Sequence, residues 1–291
     1  MQMLRFSLKL GIFLPVALAS APLLLSGCKD QGKYSAQKAA EDVASLVQLT
    51  NKDVDEVERG MPDGAKKLAV LWTPGKTPRD DLAGVRAALT KVRREVPALN
   101  LAKSTFFAIT DEHGVAIRNN LEQDAMAEKN LFGIFPDLAK SKDGPVSTTG
   151  AFPETVAQNP PDRDWIHAVP IQSDDRKLLG VYVTGWAYRR FAFHLQETLR
   201  HDLSEKLRKE NETGKLPIFY VALFDRTGVY SAPKTPAVDE KALQDADLAA
   251  KTASGPYQAV VSITDRDFGY AAARTPKLGP DTGIVVLRSE L

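Results

Sequence analysis

The sequence predicts an α+β protein. It reads as two related modules, each an antiparallel sheet of about five strands with helices, preceded by long N-terminal helices. Three observations predict this. Apolar residues recur at helical spacing over 35–58 and 77–96. Beyond them, apolar runs of strand length alternate with turn signals. Those strand-rich segments then repeat in the same order.

The N-terminus comes first in the chain. Arg5 and Lys9 make it basic, and Gly11 to Leu25 is apolar apart from one serine and two prolines. That stretch falls short of the ~20 residues a membrane span needs, and it has the layout of an export signal. Ser26 and Gly27 precede Cys28, the only cysteine. This run resembles a bacterial lipobox, which implies cleavage after residue 27 and acylation of Cys28 by palmitate-type chains. An ordinary secretory signal or an uncleaved anchor helix would share the charged and apolar regions; the cysteine's position favours the lipobox. The chain is then tethered outside the cytoplasm. Lys29, where lipoproteins kept at an inner membrane tend to carry Asp, favours the outer membrane.

The charge balance, 38 Lys and Arg against 37 Asp and Glu, argues against nucleic acid as a partner. A single cysteine forms no internal disulfide, so burial alone must build the core. Residues 28–34 are polar and read as a tether. From Ser35 to Glu58, Ala39, Val43, Leu46 and Val47 share a helical face; Gly60, Pro62 and Gly64 are expected to break it. A short apolar run, Leu68 to Trp72, follows. A second helix has Thr77 as N-cap, Pro78 at its first position and Asp80 completing a capping box. Its stripe is Leu82, Val85, Leu89, Val92 and Val96.

Phe107 to Val115 can be laid on Val221 to Val229: apolar strand, Asp-x-x-Gly turn, return strand. The glycine supplies the positive φ of such a hairpin. Thr149–Phe152 then matches Ser254–Tyr257, Trp165–Ala168 matches Phe268–Ala271, and Gly180–Val183 matches Gly283–Val286. Each copy reads strand, strand, helical stretch, three strands. The helical stretches are Leu121 to Lys140 and Val238 to Lys251. The first module with its helical stalk is 35–187. A connecting helix at 188–212 carries Leu195, Leu199, Leu203 and Leu207 on one stripe. The second, smaller module is 213–291.

Phe107 to Arg118, Trp165 to Trp186, Val221 to Ser231 and Tyr270 to Leu287 carry a resemblance to the double Cache architecture. It covers about 35–291. It implies tandem PAS-like extracytoplasmic sensor modules, as in bacterial chemoreceptors and sensor kinases, with a ligand pocket between one sheet face and the elements covering it. Usual members sit between two membrane helices and feed an output domain. Here the sequence stops about where the last strand ends, which implies signalling through a partner protein. The aromatic-arginine signature of amino-acid-binding members is not evident.

Strand residues alternate faces. Val181 and Val183 share one face of the fifth strand, and Tyr182, Thr184 and Trp186 the other. The second set combines apolar area with polar handles, as pockets do. Trp165 and His167 are expected to join it, with Arg118 binding a carboxylate or phosphate and Phe152 closing the cavity. Each residue also has a plain structural role available: sheet-core aromatic, hydrogen-bonded histidine, surface arginine. Ile284 and Val286 make the second copy a packed support module.

No Gly-x-Ser-x-Gly, His-Glu-x-x-His, P-loop or dinucleotide fingerprint occurs. His113, His167, His194 and His201 lack metal-ligand spacing. No enzyme, cofactor or metal is expected. The favoured expectation is a membrane-anchored periplasmic sensor lipoprotein that binds a small molecule in its first module. The alternative is a scaffold lipoprotein with no pocket. Docking or homodimerisation through the helices at 35–58 and 188–210 fits either. A polar-lined cavity in the first module favours the sensor; a side-chain-filled interior favours the scaffold.

Overall fold

The computed structural model describes residues 26–154, 156, 162–209 and 215–290, with 26–30 described by backbone alone. The export signal therefore lies outside the described residues except for its last two positions. Cys28 has its backbone in a helix, and its side chain lies outside the description.

The chain begins with α1 (Ser26–Leu68), then α2 (Leu82–Glu95) and α3 (Pro97–Leu101). The first module contains β1 (Phe106–Thr110), β2 (Ala116–Asn119), α4 (Leu131–Ile134), β3 (Val146–Gly150), β4 (Asp164–Gln172) and β5 (Leu178–Ala187). The connector is α5 (Tyr188–Lys209). The second module contains β6 (Ile218–Asp225), β7 (Gly228–Ser231), α6 (Ala237–Gln244), α7 (Leu248–Lys251), β8 (Tyr257–Ile263), β9 (Arg266–Arg274) and β10 (Gly283–Ser289). The two antiparallel sheets have the same order, β2-β1-β5-β4-β3 and β7-β6-β10-β9-β8. The fold is α+β with two PAS-like modules, as the repeat predicts.

One core joins both modules. Ala39 to Leu68 of α1 pack on Phe107, Ile109, Tyr182 and Trp186 of the first sheet and on Val221, Leu223, Ile284 and Val286 of the second. Each sheet buries its far face separately, around Phe106, Val181 and Val183 in one case and Phe224, Val285 and Leu287 in the other. Period-2 alternation on strands covered on both sides produces this division.

Four local expectations are corrected. First, α1 does not break at Gly60, Pro62 and Gly64. A Cβ at Gly60 would come 2.7 Å from Leu99, and one at Gly64 would come 2.7 Å from the Tyr182 ring. These glycines admit neighbours against the helix, and that packing outweighs their poor propensity. The same helix takes in the expected tether: Gly32 is buried, and Gln31 Nε2 donates to the Glu290 carbonyl at 3.2 Å. Second, the Thr77–Asp80 capping box is present but caps a 3₁₀ turn. The helix proper starts one turn later, where Asp81 accepts the Gly84 N–H at 2.8 Å, and Leu82 is left 46 % exposed.

Third, the expected helix over 121–140 is mostly not one. Asp124 instead organises a loop by accepting the N–H groups of Asn119, Met126 and Ala127. Fourth, the repeat is right strand for strand but slipped by one residue on its last two strands. Trp165 faces α1, whereas Phe268 lies on its sheet's far face; Val181 lies on the far face, whereas Ile284 faces α1. The residue beside Phe268 that faces α1 is Gly269, where a Cβ would overlap the Ala36 backbone. Likewise Gly150 ends β3, while Gly255 precedes β8.

The two Asp-x-x-Gly turns also differ. Asp111 accepts the His113 and Val115 N–H groups, and Gly114 takes φ 82°. Asp225 accepts the Thr227 N–H at 2.7 Å, but Gly228 is close to extended and pairs with Asp225 as the first residue of β7.

Candidate ligand site

The face bearing Tyr182, Thr184, Trp186, Trp165 and His167 is the one that α1 and α5 cover. Phe191 stacks on Trp186 at 4.5 Å, Trp186 on Trp165 at 4.3 Å, and Trp165 on His167 at 5.8 Å. Tyr182 stacks on Phe107, and burial pushes its hydroxyl pKa up. Thr184 donates to the Phe106 carbonyl at 2.6 Å. The His167 Nδ1 lies 2.8 Å from Ser147 Oγ, and burial lowers the ring to about 4, so it is neutral at physiological pH. Arg118 pairs with Asp124 at 3.0 Å and donates to the Leu121 carbonyl, which clamps the loop after β2. The structure thus brings five of the expected residues together inside the core rather than around a pocket. Phe152 alone among the seven lines the cavity described next.

That cavity has a volume of about 630 Å³ and opens on the other side of the first sheet. Phe106 of β1, Met126 of the Asp124 loop, Phe152 and Val156 give it apolar walls. Phe152 meets Phe106 and Phe135 edge-on at 6.1 and 4.9 Å. Asp162 and Asp164, where the chain enters β4, form one side of the rim. Arg189, Arg190 and Phe193 of α5 form another. Pro233 and Lys234, just past β7, bring the second module to the same cavity.

The rim charges are tied down unequally. Burial, together with the Asp162 charge, pushes Asp164 up to about 7, against a hydrogen bond from the Phe152 N–H. Asp162 is also raised by burial while its carboxylate accepts the backbone N–H groups of Arg163 and Arg189 at 2.8 and 3.3 Å. Arg189 forks onto Glu240 of α6 at 2.9 and 2.8 Å and donates to the Ser231 carbonyl. Arg163 forms an ion pair with Asp225, and the Tyr188 hydroxyl meets Thr282 Oγ1 at 3.0 Å. Asp162, Asp164, Arg189, Arg190 and Lys234 were not expected as site residues. The available signal was two charged clusters, 162–164 and 189–190, flanking one strand pair in sequence; antiparallel pairing of Asp164 with Ala187 brings them to the same end.

Among the described residues, no group of three His, Cys, Asp or Glu is placed to hold a metal ion. Nor is any described helix long and apolar enough to cross a membrane. The arrangement offers shape, apolar contact and charge, which is the chemistry of binding.

No protein-family model matches the sequence, and no curated protein matches it significantly. Solved structures do. The extracellular domain designated vpHK1S-Z8, assigned to a histidine kinase, aligns with TM-score 0.56 and 11 % identity over 90 % of this chain and 93 % of that one. A domain assigned to a sensory box/GGDEF family protein from Vibrio parahaemolyticus aligns with TM-score 0.53 and 11 % identity over 89 % and 97 %. An extracellular ligand binding receptor from Desulfohalobium retbaense aligns with TM-score 0.50 and 12 % identity over 85 % of this chain, which spans 39 % of that receptor. The chain therefore carries the fold of the tandem PAS-like, Cache-type sensor domains found outside the cytoplasm.

Proposed function

We propose that the chain is a membrane-anchored periplasmic sensor lipoprotein whose first module binds a small amphipathic molecule. One observation carries this reading: an apolar-walled, charge-rimmed cavity of about 630 Å³ on the first sheet's face away from α1. A scaffold with a side-chain-filled first module would lack it. Residues 1–27 act as the export signal, Cys28 carries the lipid, and the outer membrane is the favoured site. Several acyl carbons contribute about 0.8 kcal/mol each to anchoring. Modules 35–187 and 213–291, joined by the connector 188–212, hold the ligand and report it. The bound state shifts α5, whose first turn borders the cavity, and a partner protein or a second copy reads the change.

Native mass spectrometry of the full chain isolated from membranes tests both parts. A retained small molecule is expected in the wild type and is lost in Met126→Trp, which fills the cavity. A chain starting at an acylated Cys28 is expected in the same spectrum. Identical spectra for wild type and variant contradict the ligand reading, and an unmodified N-terminus contradicts the anchor.

A further inference from the structure

The cavity's charged groups are not equally available. Asp162 spends its carboxylate on two backbone N–H groups. Arg189 spends its guanidinium on Glu240 and the Ser231 carbonyl. Asp164 accepts from Phe152 and is half protonated near neutrality. Two cations remain. Arg190 is exposed at the start of α5, Lys234 is exposed beyond β7, and neither has an acidic partner within 4.0 Å among the described residues.

Lys234 also sits where lysine does not belong. Ala232 to Thr235 form a turn closed by the Thr235 N–H on the Ala232 carbonyl at 3.1 Å. Pro233 takes its second position, and Lys234 takes the third with φ 81°. That third position is the one type II turns give to glycine, because a Cβ is strained there. The turn further leaves the buried Thr235 hydroxyl without a partner among the described residues. Folding would be served better by Pro-Gly. A strained lysine at the wall of another module's cavity points to a role in binding.

We propose that Lys234 and Arg190 clamp an anionic group of the ligand from two modules, so that the cavity takes an amphipathic carboxylate or similar anion. The apolar walls hold the body of such a molecule, and the cations hold its charged end. The second module then contacts the ligand directly through Lys234, which gives it a means of sensing occupancy. This proposal rests on the cavity being a ligand site.

Isothermal titration of the full chain with 4-phenylbutanoate and with uncharged 4-phenylbutanol tests it. The carboxylate is expected to bind the wild type roughly tenfold more tightly than the alcohol, as one charge-assisted hydrogen bond allows. Lys234→Gly and Arg190→Gln each bring the carboxylate down toward the alcohol and weaken the alcohol far less. Lys234→Gly also raises the melting temperature, because it relieves the turn. Carboxylate binding unaltered by Lys234→Gly overturns the clamp and makes Lys234 a turn residue only. Equal binding of both probes to the wild type overturns the anion assignment, as does binding of neither. Whether the cavity binds anything at all is read separately, from the molecule retained in the native mass spectrum.

Discussion

Asp164 and His167 lie three residues apart on β4 and respond to pH in opposite senses. Asp164 holds its proton to about 7, whereas an unfolded chain releases it near 3.8. Its burial therefore costs nothing below pH 4, and the cost grows to about 4 kcal/mol as pH rises through 7. His167 titrates at about 4 when folded and near 6.5 when unfolded. Its contribution is intact above pH 6.5 and is lost, by about 3 kcal/mol, as pH falls toward 4. Asp164→Asn is therefore expected to raise the melting temperature at pH 8 by several degrees, with the gain vanishing near pH 4. His167→Gln should flatten the wild type's acid-side loss between pH 6.5 and 4. Melting curves across that range check both. At this scale the sequence was legible in part. Alternation correctly grouped Trp165 with His167 and Tyr182 with Trp186. It could not say which face the long helix would take, because a period of two defines two faces and assigns neither.

The elements show why the long helix decided that question. Gly60 and Gly64 look like helix breakers in sequence, yet in α1 they are the points of closest approach to Leu99 and Tyr182. Gly64→Ala should destabilise by about 1–3 kcal/mol, although alanine is the better helix former, because the new methyl overlaps the Tyr182 ring. Gly269→Ala should cost at least as much, since its methyl meets the rigid α1 backbone rather than a side chain. Gly144→Ala, with nothing within 4 Å, serves as the near-neutral control. Chemical denaturation measures all three. Gly269 also accounts for the one-residue slip in the repeat. In the first sheet Trp165 fills the space under the helices, while in the second α1 lies directly on the strand. A one-residue slip on strands that are apolar on both faces is invisible to a comparison that scores apolar against apolar.

For the whole molecule, the repeated order of strands and turns was enough to expect two similar sheets of about five strands, and the structure gives both the same strand order. The cavity was not specified, because it depends on three distant segments meeting: the Asp124 loop, the first turn of α5, and a turn of the other module. The two modules are tied together beside the cavity by long-range ion pairs, Arg163 with Asp225 and Arg189 with Glu240, that leave no periodic trace in sequence. On the proposed function, the same ties let the second module respond to what the first module's cavity holds. Hydrogen–deuterium exchange of the full chain, as isolated with its retained molecule and again after refolding removes it, tests this coupling most directly. The account predicts slower exchange in the isolated form at 119–127 and at 232–235 together, with α1 unchanged. A difference confined to α1 and the strand residues facing it, or no difference in either segment, would contradict it.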